Sequence, residues 1–153
     1  MRVLYFDING TLTEGATDRA KQDLGAGKFE DAVREAGFHK LVCVSSMVGV
    51  IEAYQSAGRE VDGHRFILQH CGGTIRDLDW FRHLCTLEPK YRQRGSIIDE
   101  SQDWWYVDDY AKEYLGQAKR RDLQDTNRVL APDAQGDGQD VLAWLQQVPP
   151  LSE

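Results

Sequence analysis

Three apolar runs of this chain stop at residues that can do chemistry. Tyr5-Phe6 leads into Asp7, Val42-Cys43-Val44 into Ser45, and Tyr106-Val107 into the pair Asp108-Asp109. Carboxylates gathered at one place repel one another, and a hard divalent ion with oxygen ligands, Mg²⁺ above all, is their natural neutraliser. Asp7 is also a candidate nucleophile, because a carboxylate can form a covalent acyl phosphate. The Ser45 hydroxyl can donate a hydrogen bond to a phosphoryl oxygen. A nearby cation would offset both Asp7 and the charge on a transferring phosphoryl group. Gly10, in the turn Asn9-Gly10, permits close approach of backbone to an anion.

These residues meet only if the elements before them lie side by side. Val3-Leu4-Tyr5-Phe6 and Leu41-Val42-Cys43-Val44 are continuous rather than alternating apolar runs, as expected of strands covered on both faces. Trp104-Trp105-Tyr106-Val107 is a third such run, and Arg128-Val129-Leu130-Ala131 predicts a last strand. Phe29, Ala32, Val33 and Ala36 recur at helical spacing before Gly37. Val48, Ile51, Tyr54 and Ala57 do so before Gly58, Ala111, Leu115 and Ala118 after the acid pair, and Val141, Leu142, Leu145 and Val148 before Pro149. Residues 14–28 are polar and glycine-bearing, and read as a loop or loose flap. Over 59–88, Phe66-Ile67-Leu68 predicts a strand, Leu78, Phe81 and Leu84 a helix, and Cys85-Thr86-Leu87 a short strand. Strands alternating with helices predict an α/β fold: a single doubly wound, Rossmann-like, mostly parallel sheet flanked by helices, over residues 1–153. Ligands of such sheets bind beyond the carboxyl ends of the strands. Asp7, Ser45 and Asp108-Asp109 would all lie there.

Composition excludes several classes. Charges sum to 18 − 25 = −7, which argues against a protein that grips nucleic acid or anionic lipid. No apolar run approaches the roughly 20 residues that span a bilayer, and Met1 to Asp7 is too short an apolar stretch for a signal peptide. Cys43, Cys71 and Cys85 are odd in number and widely spaced, which indicates neither a disulfide framework nor a zinc ribbon. A cytoplasmic, reducing location is expected. The histidines, the Trp104-Trp105 pair and the cysteines read as packing or surface residues.

The segment Asp7-Ile8-Asn9-Gly10-Thr11-Leu12-Thr13 resembles the DxDGTLT motif of the haloacid dehalogenase (HAD) superfamily. The strand ending in Ser45 is similar to that family's second motif, and Trp105-Tyr106-Val107-Asp108-Asp109 to its fourth. Order and spacing match over nearly the whole chain. For the lysine of the third motif the choice is Lys90, which follows a short predicted strand and precedes Asp108 by 18 residues (108 − 90). Arg92, Arg94 and Lys112 are rival cations. The resemblance implies Asp7 as nucleophile and Mg²⁺ ligand, the Asn9 carbonyl as a second ligand, Asp108 as a direct ligand and Asp109 as a direct or water-mediated one. Ser45 and Lys90 would hold the phosphoryl group. Neither interval after Asp7 or Ser45 has room for a large cap domain, so a cap is expected to be absent or minimal. An open site of that kind suits a large phosphorylated substrate.

Asn9 departs from the motif. Family phosphatases carry an Asp there as general acid and base, and an amide cannot shuttle a proton. The expectation is a Mg²⁺-dependent hydrolase that is slow on alkyl phosphates and better served by acyl or aryl leaving groups. A phosphate-binding or interaction module without turnover is the alternative. A metal-independent, halide-displacing enzyme is a third reading, which gives Asp108-Asp109 less reason to exist.

Overall fold

A computed structural model describes residues 1–151. Five strands form one parallel sheet: β1 (Arg2–Phe6), β2 (Lys40–Cys43), β3 (Cys85–Leu87), β4 (Asp103–Val107) and β5 (Val129–Leu130). Their spatial order is β3-β2-β1-β4-β5. Helices α1 (Lys28–Glu35), α2 (Val48–Ser56), α3 (Glu60–His70), α4 (Leu78–Leu84), α5 (Ala111–Gln117) and α6 (Gln139–Gln146) flank it. This is a Rossmann-like α/β fold, with every strand pair parallel.

Continuous apolar strands are what a sheet covered on both faces requires. Leu4 and Phe6 of β1 join Phe29 of α1, Trp105 of β4 and Trp144 of α6 in one core, where the two indoles meet edge-on at 6.0 Å. Val3 and Tyr5 point the other way, toward Trp104, Tyr106, Ala111 and Leu115. Adjacent tryptophans thus serve opposite faces of β4. Burying each large side chain contributes about 1.5–3 kcal/mol. Cys43, Cys71 and Cys85 are free and buried. At the amino end of the sheet, Asp103 of β4 accepts from Arg2 of β1 at 2.8 Å and from Arg128, just before β5, at 2.7 Å, tying the three strands together.

Two expectations are corrected. Phe66-Ile67-Leu68 lies in α3, not in a strand. Its buried positions, Gly63, His64, Ile67 and Leu68, repeat with the helical period, and the polar His64 hides that pattern in the sequence. Residues 14–28 are not a loose flap. Gly15 donates its amide to Ala134 and Asp23 to Asp137, which pins the segment to the chain after β5, and Lys21 donates its amide to the Leu12 carbonyl in the turn after β1. Lys21 and Leu24 are fully buried there. Among the described residues no helix is long and apolar enough to cross a membrane.

Candidate active site

The chain leaves β1 toward β2 and β3 on one side, while β4 and β5 lie on the other. The strand order therefore reverses between β1 and β4, and ligands of open α/β sheets bind at such a crevice. Phe6 pairs with Val107, so the residues that follow them, Asp7 and Asp108, emerge beside one another. Asp109 comes next. Oxygens of the three carboxylates lie within 4.8 Å of one another.

The turn after β1 is built to touch this cluster. The amides of Thr11, Leu12 and Thr13 converge on the Ile8 carbonyl. Thr11, buried, accepts the Asp109 amide at its hydroxyl at 3.2 Å. Gly10 adopts φ +82°, and a Cβ there would fall 2.2 Å from Asp109 Oδ2. Only glycine meets both demands.

Asp108 is fully buried and well satisfied. Its Oδ2 accepts from Arg94 at 2.8 Å and from the Tyr106 hydroxyl at 2.9 Å, and its Oδ1 from the Tyr110 amide at 2.9 Å. The last bond also orders the start of α5. Asp109 Oδ1 is buried with no partner, and so is Asn9 Oδ1. A buried polar atom without a partner costs about 1–3 kcal/mol, so both oxygens are poised to accept from something not part of the chain.

Arg94 is the resident cation. It lies on a 3-10 turn (Tyr91–Ser96), and its guanidinium reaches Asp7 at 3.2 Å as well as Asp108. Its backbone sits close to α5 because the next residue is Gly95, where a Cβ would fall 2.3 Å from the Tyr114 carbonyl oxygen. The guanidinium then stacks on the Tyr114 ring, 4.3 Å from its centre. Burial disfavours the charge on Arg94, but Asp108 and Asp7 more than offset this and hold it protonated.

Three carboxylates against one guanidinium leave two negative charges when all are ionised. That crowding makes Asp7 and Asp109 harder to ionise. Burial first, then the charge of Asp108, pushes the Asp7 carboxyl well above the usual carboxylate range, with Arg94 opposing. The same two causes raise Asp109 to about 6. The residues fit a divalent cation: the deficit is two charges, the donors are hard oxygens, and Asp109 carries a free one.

The expected site residues are placed as follows. Asp7, Asn9 and Asp109 line one hollow of about 330 Å³. Asp108 lies beneath it. Ser45 is buried at the end of β2, but its hydroxyl accepts the Met47 amide at 3.2 Å, and the serine that lines the hollow is Ser46. Lys90 is exposed at the start of the 91–96 turn, with its amide on Glu88 and outside the acid cluster. The cation there is Arg94, four residues on. Tyr110, Tyr114 and Gln135 complete the wall and had no signal as isolated residues in the sequence.

No protein-family model, curated protein or solved structure matches this chain.

Proposed function

We propose that the chain is a Mg²⁺-dependent phosphohydrolase of HAD type, working through an aspartyl phosphate on Asp7 and slow on alkyl esters. The observation that carries this reading is the meeting of Asp7, Asp108 and Asp109 around Arg94 at the strand-order reversal. Asp7 and Asp109 would hold the cation, Asp109 through its unpartnered Oδ1, with the remaining lone pair of Asp108 and the Asn9 carbonyl as further donors. Bound Mg²⁺ would supply charge that lowers the carboxyl pKa values and screens a phosphoryl group from the acids.

The chain's own residues do the rest. Asp7, ionised, attacks phosphorus in line with the departing oxygen. Arg94 keeps Asp7 oriented and presents positive charge where the phosphoryl oxygens gain negative charge in the transition state. Ser46 rims the same hollow and can donate a hydrogen bond there. Asn9 orients by hydrogen bonding and delivers no proton, so the leaving group departs as an anion. Water entering the open site then hydrolyses the aspartyl phosphate without a general base, which makes this second step slow. The substrate is a phosphorylated compound, and the open rim does not limit its size. Three unpaired buried thiols and a net charge of −7 support a cytoplasmic setting and a role apart from nucleic acid.

The test is turnover of acetyl, phenyl and alkyl phosphates with Mg²⁺ or EDTA, in wild type and Asp7→Asn. Activity on the first two, lost with EDTA and with Asp7→Asn, is the expected result. No turnover of any of them, or turnover indifferent to both changes, overturns the proposal. Asn9 specifically favours a second reading, a module that binds phosphate and does not turn it over; such a module would bind phosphate in the presence of Mg²⁺ and stay inert.

A further inference from the structure

We infer that this site selects a flat, uncharged aromatic leaving group, held against Tyr110; the inference rests on the phosphohydrolase reading. Two independent observations meet in it. The first is the wall of the hollow beyond the reacting groups. Tyr110 follows Asp109 directly, lines the hollow, and is 59% exposed. Its backbone is fixed, because its amide is bonded to Asp108. Among the described residues no aromatic ring or cation stacks on it, whereas the Tyr114 ring is already taken by Arg94. Gly15, Ala134 and Gln135, all without charge, line the same hollow. Gly15 and Ala134 are tied by an amide–carbonyl bond of 3.0 Å, so this part of the lining is ordered too. All charge in the hollow lies with Asp7, Asp109 and Arg94. A group leaving phosphorus therefore enters space bordered by an open phenol ring, small residues and an amide. A volume of about 330 Å³ is near the lower end of small-ligand sites, about 300–1,000 Å³.

The second observation is Asn9. With no proton donor at that position, the P–O bond breaks with the electron pair staying on the departing oxygen. A phenol-type oxygen carries that pair far better than an alcohol: the acid pKa is about 10 for a phenol, against about 16 for water. In the step inferred here, an Asp7 oxygen bonds phosphorus while the phosphorus–aryl oxygen bond breaks. The phenolate leaves and takes its proton from water. The missing acid and the open ring thus call for the same leaving group.

The test is binding, so that it does not depend on turnover. Phenylphosphonate and methylphosphonate, both inert to hydrolysis at phosphorus, are titrated calorimetrically into the Mg²⁺-loaded protein, with inorganic phosphate as competitor. One added aromatic contact should make phenylphosphonate bind about three- to tenfold tighter. Tyr110→Ala should bring that ratio close to one, and Tyr110→Phe should keep it. Tyr110 is exposed, and far-ultraviolet circular dichroism checks that each variant is folded. Equal binding of the two phosphonates by wild type, or a ratio unmoved by Tyr110→Ala, overturns the aromatic selection and leaves the phosphoryl site standing. Binding of neither phosphonate and of no inorganic phosphate overturns both.

Discussion

Gly10 and Asp109, nearly 100 residues apart in the chain, are in such close contact that no side chain fits between them. A Cβ on Gly10 would fall 2.2 Å from Asp109 Oδ2, and the glycine holds φ +82°. The turn after β1 and the acid pair after β4 are therefore one unit, joined also by the Thr11 hydroxyl and the Asp109 amide. Gly10→Ala should destabilise the fold by roughly 1–3 kcal/mol through backbone strain and displace Asp109. Denaturant unfolding with and without Mg²⁺ checks this. A variant that keeps both stability and the full Mg²⁺ response would show that the contact is not formed in solution.

Asn9 lies two residues after Asp7, where the proposed mechanism would call for a proton-transfer group and an amide supplies none. The rest of the turn is in place, and the Asn9 side-chain oxygen is buried without a partner. Asn9→Asp should raise turnover of alkyl phosphates by about 10²–10⁴, with a smaller gain on phenyl phosphate, which needs no acid to leave. Single-turnover kinetics on both substrates decide this. Equal gains on both would mean that Asn9 acts through geometry rather than through the missing proton.

The strands that carry the site were legible because a sheet buried on both faces demands unbroken apolar runs, and β1, β2 and β4 have them. What followed β1 and β4 was legible too, since Asp7 and Asp108-Asp109 end those runs abruptly, whereas after β2 the hollow takes Ser46 and not the expected Ser45. α3 was not, because a buried histidine broke its apolar period. Arg94 carried no local signal of its own. It lies on an irregular turn close to Lys90 and Arg92, with Lys112 a further rival on α5, and what singles it out is the convergence of Asp7 and Asp108 from two strands. Lys21 was hidden for a related reason. A lysine in a polar, glycine-bearing stretch reads as surface, yet its ammonium is buried on the Asp133 carbonyl, with burial lowering its pKa against the field of four aspartates. Nothing within residues 14–28 names a partner more than 100 residues away.

The raised carboxyl pKa values give the metal-free protein a definite pH dependence. A carboxyl whose folded pKa lies above its unfolded value, near 3.8, favours the folded state while protonated. For Asp109 that contribution is complete below pH 3.8 and is lost as pH rises through about 6. Asp109→Asn copies the neutral form. Without metal it should melt above wild type at pH 7–8, and the difference should shrink toward pH 4. Saturating Mg²⁺ should reverse the order, because wild type then gains about 2.7 kcal/mol at a hundredfold excess over Kd, roughly 5–10 °C in melting temperature, and the variant less. A wild type that melts alike with and without Mg²⁺ at pH 8 would show that the acids hold no such ion.

Arg94 lies between two acids that cannot both be buried and charged without it. Its side chain is 7% exposed, that of Asp108 is 0%, and the contacts are 2.8 Å to Asp108 and 3.2 Å to Asp7. Removing one partner from a buried ion pair costs about 3–5 kcal/mol, since the other charge stays behind uncompensated. Arg94→Met should lose about that much stability at neutral pH without metal. The loss should be smaller near pH 5, where Asp7, already raised by burial and Asp108, takes up its proton more readily. Mg²⁺ should restore part of the stability, because it supplies positive charge to the same carboxylates. It should not restore turnover, which should stay down by about 10²–10³ because the phosphoryl oxygens have lost a fixed donor. Arg94→Lys keeps the charge but not the planar stack on Tyr114, and should fall between the two in both measurements. Melting curves at pH 5 and pH 7, with and without Mg²⁺, separate these effects. An Arg94→Met protein that unfolds with wild type in metal-free buffer at pH 7 would mean that the Asp7–Arg94–Asp108 bridge does not hold this edge of the sheet together.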